Sequence, residues 1–285
     1  MTPADFDFVA QMLKRRSGLV IGPDKIYLLD SRLAPVARQL QLANIDAVVA
    51  KVKAGDEAVC KAVTEAMTTN ETFFYRDKTP FEQFEKLILP HMLQARAKDR
   101  RLRIWSAAAS TGQESYSLAM ILREKAAQMR DWKIDIFGTD LSNEALAKAK
   151  AGAYSQFEVQ RGLPVTHLVK YFAKQGEQWC IKDDIRAMVK FQTGNLLDPF
   201  TGFGTFDVVF CRNVLIYFDE ATKRDILGRI AQLMPPDGYL LLGAAETVVG
   251  ISSSFAPIDQ VRGVFSKQGA PKPASIAPAA RAVGA

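Results

Sequence analysis

Between about residues 98 and 268 the chain alternates short apolar runs with amphipathic stretches, and no other feature restricts its fold as much. RLRIW, KIDIFGTD, MVKFQTGN, FDVVFCRN and YLLLGAA read as strands. ESYSLAMILREKAAQM, SNEALAKAKAGAY and ATKRDILGRIAQLM read as helices among them, the second opened by Ser142 as N-cap. Strands rich in Val, Ile, Leu and Phe, separated by such helices, specify an α/β fold. Its sheet is mainly parallel and covered on both faces. Ligands of these sheets bind beyond the carboxyl ends of the strands, so the residues just after each strand carry the functional information.

After RLRIW comes SAAASTGQE, small residues followed by Glu114 at a helix start. Small side chains let a ligand approach the backbone, and a helix N-terminus offers free N–H groups. Asp140 ends the second strand, where a carboxylate can accept hydrogen bonds from two ribose hydroxyls. Asn195 follows the third strand and Asn213 the fourth. Each also fits a plainer role: a tight turn, a helix cap, two turn formers. Polar residues after four strands in succession favour a nucleotide-type site.

Residues 1–68 read as short helices. Phe6, Val9 and Leu13 recur at helical spacing, with Gly18 as a stop. Ile26, Leu29, Leu33, Val36 and Leu40 form a second amphipathic stripe. Lys14, Arg15, Arg16, Lys25, Arg32 and Arg38 outnumber the acids there, giving either a solvated basic face or a docking surface for an acidic partner helix. Residues 69–97 form a linker before the sheet. An interruption at about 153–190 exceeds an ordinary loop. In it Pro164, His167, Tyr171 and Phe172 suggest a loose helix, and QWCIKDDIRAMVKF suggests a hairpin turning at Asp183-Asp184. The stretch 269–285, rich in Pro and Ala, reads as a disordered tail.

Composition removes several classes. The 37 basic and 31 acidic residues leave a net +6, but Lys267, Lys272 and Arg281 put half of that excess at the C-terminal end. Without an RNA or DNA module signature, the charge does not indicate nucleic acid. Cys60, Cys180 and Cys211 lack CxxC spacing, which argues against a disulfide framework or a zinc ribbon and fits a reducing cytoplasm. Two histidines, His91 and His167, leave little for a metal site or a Ser-His-Asp triad. No segment has the length or apolarity of a membrane span, and the acidic start does not resemble a secretory signal.

Six segments, in order, resemble the CheR family of chemoreceptor methyltransferases: TTNETFFYR, WSAAASTGQESYSLA, GTDLSNEALAKAKAGAY, NLLDPF, FDVVFCRNVLIYFD and PPDGYLLLGAAE. The resemblance implies a Rossmann-like S-adenosylmethionine-methyltransferase sheet covered by helices, a small all-helical N-terminal domain and an inserted small antiparallel β-subdomain. It implies that Asn70, Thr72 and Arg76 contact the cofactor, with Arg76 facing its carboxylate. Glu114 would lie beside the small-residue loop, and Asp140 would hold the ribose hydroxyls. Asn195 and Leu196 would lie along the adenine. Arg212 and Asn213 would close the site, and Tyr217 would lie near the transferred methyl as the catalytic residue. The implied partner is the cytoplasmic helical bundle of a chemoreceptor, met by the basic face of Arg32 and Arg38. A receptor C-terminal peptide would meet the β-subdomain. Ser115 stands where the family often has Pro, and FFYR where it often has FFR. GAAE replaces a turn with His or Ser before the Glu, which leaves the role of Glu246 open.

The implied acceptor, a glutamate side chain, has a reference pKa of about 4.3 and is ionised at neutral pH. It needs no general base. Tyr217 would orient that acceptor by its O–H or offer its ring to the sulfonium; its plainer role is a core aromatic. Other activities on the same sheet fit less well. A nicotinamide enzyme wants GxGxxG, and SAAASTG has one Gly. An RNA methyltransferase wants stacking aromatics or an NPPY-like site. A non-catalytic binding module would show an eroded pocket.

Overall fold

The computed structural model describes residues 1–270; the expected disordered tail at 269–285 lies outside them but for its first two residues. Four helices open the chain: α1 (Pro3–Ser17), α2 (Ile26–Gln39), α3 (Ile45–Lys53) and α4 (Glu57–Ala66). They pack around Phe6, Val9, Leu13, Leu29, Leu33, Val36, Val48 and Val63. The apolar stripe therefore faces a core, and Gly18 ends α1 at φ 77° as expected. Thr2 and Asp5 form a capping box at the other end of α1.

The linker leads into α5 (Thr79–Gln83), continuous through one π-helical turn with α6 (Leu89–Ala95). The sheet follows: β1 (Arg101–Ala107), α7 (Gln113–Glu124), β2 (Lys133–Asp140) and α8 (Asn143–Ala151). Ser142 caps α8 by accepting from the Ala145 amide. The interruption holds β3 (Ala153–Ser155), α9 (Gln156–Gln160), α10 (Val165–Tyr171), β4 (Phe172–Gln175), β5 (Gln178–Ile181) and α11 (Asp183–Arg186). The chain returns through β6 (Val189–Thr193), β7 (Val208–Cys211), α12 (Glu220–Gln232), β8 (Tyr239–Leu242), β9 (Phe255–Ile258) and β10 (Val261–Lys267).

The large sheet runs β6-β2-β1-β7-β8-β10-β9; its first five strands are parallel, and β10 is antiparallel to β8 and β9. Alternation along β1 feeds two cores. Leu102 and Ile104 join the core under α5 to α7, and Trp105 and Ala107 join the core under α12. Burial on both faces explains why β7 (VVFC) and β8 (YLLL) read as unbroken apolar runs.

The small antiparallel sheet, ordered β3-β5-β4, is present, but its hairpin turns elsewhere than the sequence suggests. The turn lies between Gln175 and Gln178, and Asp183 and Asp184 begin the single helical turn of α11. Phe172, expected in the helix, starts a strand because its ring packs edge-on against Phe74, 5.5 Å between centroids.

The basic face is also thinner than expected. Lys14 pairs with Asp219 and Arg16 with Glu57. Arg32 reaches back to donate to the carbonyls of Ala66 and Thr68, so it braces the end of α4 rather than meeting solvent. Arg38 is exposed.

Candidate functional site

The carboxyl ends of the parallel strands open into a cleft of about 1010 Å³, part of it open to solvent. All ten residues singled out from the sequence line it: Asn70, Thr72, Arg76, Glu114, Asp140, Asn195, Leu196, Arg212, Asn213 and Tyr217. Sequence positions spread over nearly 150 residues converge because the strand ends lie side by side and the linker crosses above them.

The loop after β1 enters the left-handed region at Ala108 (φ 62°) and Ser110 (φ 51°), a strain that is held where a site needs it. The Ser110 amide donates to Asp140 Oδ2 at 2.7 Å, and the Ser142 amide to Oδ1 at 2.8 Å. Burial pushes the Asp140 pKa up from its usual 3.8, while the amides of Ser142, Ser110 and Leu141 pull the other way. The two short amide bonds, one to each oxygen, leave acceptor capacity on the carboxylate, which suits adjacent hydroxyls. Asn70 spans the gap: its Nδ2 donates to Ser142 Oγ at 3.3 Å, and its carbonyl accepts from Ser110 Oγ at 2.8 Å.

On the other side, Arg212 is almost wholly enclosed. Its Nη1 donates to Glu114 Oε2 and its Nη2 to Asp77 Oδ2, each at 2.8 Å. Glu114 Oε1 accepts from Ser106 Oγ at 2.8 Å, so one bond to each oxygen orients the carboxylate on the cleft wall. Arg212 Nε is buried with no hydrogen-bond partner among the described residues. A buried donor beside a cleft calls for an acceptor from a ligand. Arg76 Nη1 donates to the Glu71 carbonyl at 2.7 Å, leaving the rest of its guanidinium on the cleft wall.

Asn195 is more committed than the sequence suggests. Its Nδ2 donates to the Arg16 carbonyl at 2.6 Å and its Oδ1 accepts from the Leu197 amide at 3.0 Å. It ties the end of α1 to the sheet. Tyr217 is half-buried on the cleft wall; its carbonyl accepts from the Val20 amide at 2.9 Å, and its hydroxyl bonds to no described residue. Sequence reasoning missed the share of the helical domain: Ser17, Leu19, Thr64 and Met67 also line the cleft. Only the docking of α1 and α4 on the strand ends reveals it.

The cleft holds groups of the chemistry that S-adenosylmethionine needs: a carboxylate with free acceptor capacity at Asp140 and a guanidinium on the wall at Arg76. Comparison with known proteins decides the family. Residues 70–264 match the model "CheR methyltransferase, SAM binding domain", and residues 4–68 match "CheR methyltransferase, all-alpha domain". The chain belongs to the CheR methyltransferase family. Chemotaxis protein methyltransferase 1 of Pseudomonas aeruginosa is 40% identical over 266 residues, 92% of this chain and 97% of the relative. Chemotaxis protein methyltransferase Cher2 of Pseudomonas putida is 37% identical over 266 residues, 92% and 96%. The chemotaxis protein methyltransferase of Salmonella typhimurium is 32% identical over 273 residues, 94% and 92%. This CheR-family chain is an S-adenosylmethionine-dependent methyltransferase of chemotaxis. No helix among the described residues is long and apolar enough to cross a membrane.

Proposed function

We propose that the chain methylates glutamate side-chain carboxylates of chemoreceptors in the cytoplasm, giving methyl esters and S-adenosylhomocysteine. One observation carries this reading: among the described residues, the cleft wall has no His, Lys or Cys to act as a base. His91 and His167 bond through Nδ1 to Tyr239 and Tyr75, and neither lines the cleft. Burial pushes both imidazoles down, towards the neutral form. Such a wall suits an acceptor that arrives already ionised, as a glutamate carboxylate does.

When bound, the cofactor supplies an electrophilic sulfonium methyl. The chain's own residues bind, orient and dry the reactants. Asp140 holds the ribose hydroxyls, with Asn70 fixing the loop beside it and Thr72 on the same wall. Arg76 faces the cofactor carboxylate, and Arg212, fixed by Glu114 and Asp77, closes the site beside it. Leu196 and the backbone of Asn195 form the apolar wall for the adenine, and Asn213 closes the far side. Tyr217 directs its free hydroxyl to the acceptor. Orientation of the reactants, with water displaced as they fill the cleft, then supplies most of the rate.

Receptor contact falls to Arg38 on the helical domain and to the edge strands β3 and β4. An unpaired strand edge can take up an extended receptor tail as a further strand. The test is methyl incorporation from labelled cofactor into receptor cytoplasmic fragments, with base-labile release marking an ester. Base-stable label would refute the glutamate assignment, and Tyr217→Phe is expected to lower turnover with cofactor affinity nearly unchanged.

A further inference from the structure

Glu246, in the loop after β8, has no part in the reading above, yet its carboxylate is the most heavily engaged acceptor beside the cleft. Oε1 accepts from the amides of Val214 at 2.9 Å, Leu215 at 2.7 Å and Ile216 at 3.3 Å. Oε2 accepts from the amides of Asn213 at 2.8 Å and Gly243 at 2.7 Å. All five donors are backbone N–H groups, drawn from the loops after β7 and β8. One side chain therefore clamps two neighbouring strand ends together.

The clamp depends on close approach. A Cβ on Gly243 would lie 2.7 Å from Glu246 Oε2 and 2.9 Å from the Asn213 amide nitrogen, so any side chain there would wedge the two loops apart. Asn213 sits at φ 58°, in the left-handed region that Asn enters more readily than most residues, and its amide points to Glu246 there. A single 3₁₀ turn, Leu215–Tyr217, follows directly. With the amides of 213 to 216 gathered on one carboxylate and the Tyr217 carbonyl held by Val20, the backbone that carries Tyr217 to the cleft wall is fixed on both sides.

We propose that Glu246 is a positioning residue for methyl transfer, its carboxylate fixing the loop that carries Asn213 and Tyr217. The proposal rests on the reading that puts those two residues at the transfer site. Glu246 does not line the cleft; it acts through the backbone of the loop. Glu246→Gln keeps the volume but turns an NH2 donor toward N–H donors. Depending on its orientation, it replaces either two or three of the five acceptor bonds with donor–donor contacts. Glu246→Ala removes all five and leaves a small cavity lined by amides.

The test uses the full chain with three measurements: amide hydrogen exchange over residues 213–217, S-adenosylhomocysteine titration, and single-turnover methylation of receptor cytoplasmic fragments. In Glu246→Gln, exchange in that segment is expected to rise about tenfold or more while the strands keep their protection. The transfer rate is expected to fall about tenfold or more, with receptor KM and product affinity within about threefold. Formate, a small carboxylate that fits the amide-lined cavity, is expected to restore part of the rate of Glu246→Ala; should that variant not fold, Glu246→Gln carries the test alone. A wild-type rate in Glu246→Gln, unchanged exchange, or a rate loss that merely follows global unfolding would each overturn the proposal. Tyr217→Phe and Asn213→Ala, run beside it, separate the two readings. Wild-type rates in both would remove the transfer-site reading and this proposal with it. A slow Tyr217→Phe beside a fast Glu246→Gln would remove only the role of Glu246.

Discussion

Asp140→Asn isolates the carboxylate at the centre of the cofactor reading. The substitution preserves shape and keeps one oxygen, but its NH2 cannot accept from Ser110 or Ser142, whose amides sit 2.7 and 2.8 Å from the two oxygens. Before ligand binds, the change is nearly neutral. The folded pKa is raised by burial, so ionising Asp140 above that pKa costs stability rather than adding it; Asn removes that cost and loses one amide bond in exchange. A stability change within about 1 kcal/mol follows. With ligand the balance differs. Hydrogen bonds to a charged acceptor contribute about 1.5–3 kcal/mol each, and of two ribose bonds one is lost and the other weakened. The expected loss is about 2–4 kcal/mol, or roughly 30- to 1000-fold in affinity. Calorimetric titration with S-adenosylhomocysteine measures it. A pH series adds a sign: wild-type affinity should fall on acidification from a pH above the ordinary 3.8, because the folded pKa is raised, whereas the variant should not show that step. Affinity within threefold of wild type, or the same acid step in both proteins, would refute the assignment of Asp140 to the ribose.

Arg32→Ala should destabilise the chain by about 1–2 kcal/mol, since it strips two carbonyl partners at the end of α4 beside Met67 and Thr68 on the cleft wall. Denaturant unfolding checks it. Arg38→Glu should leave stability and cofactor affinity alone while slowing receptor methylation at low salt, and an unchanged low-salt rate would remove the docking role. Arg96 holds Asp237 with both terminal nitrogens (2.7 and 2.6 Å) and Asp207 with Nε (2.7 Å), so Arg96→Met should cost about 2–4 kcal/mol by thermal or urea unfolding. Hydrogen bonding to Arg96 holds the Asp237 pKa below its usual 3.8; the stability it contributes is full above that pH and is lost as pH falls toward the depressed value, a loss the variant should not show.

Local chemistry was legible in the chain. KIDIFGTD spans a strand from first residue to last, Ser142 caps the following helix, and Gly18 ends α1, because each depends on neighbours within a few residues. The order of strands and helices placed Glu114, Asp140, Asn195 and Asn213 on one cleft wall, because parallel strands all end on the same side; the linker residues Asn70, Thr72 and Arg76 came from the family resemblance. What needed a distant partner was not legible. Phe172 fits a helical or an extended pattern equally well, and its contact with Phe74 decides for the strand. Arg32 and Arg38 both fall outside the apolar stripe, yet one is taken up by backbone carbonyls 34 and 36 residues on and the other meets solvent. Glu246 shows the limit most sharply. Four of its five partners are amides about 30 residues earlier, and a backbone N–H carries no signature in a sequence. The sequence alone set the parallel strands, the helices between them and the residues at their ends, through periodicity and capping. Only the tertiary structure decided which charges are spent internally and which carboxylate clamps the loops. Hydrogen bonding over short distances depends on where the backbone passes, and that is fixed only when the sheet and the helical domain have packed.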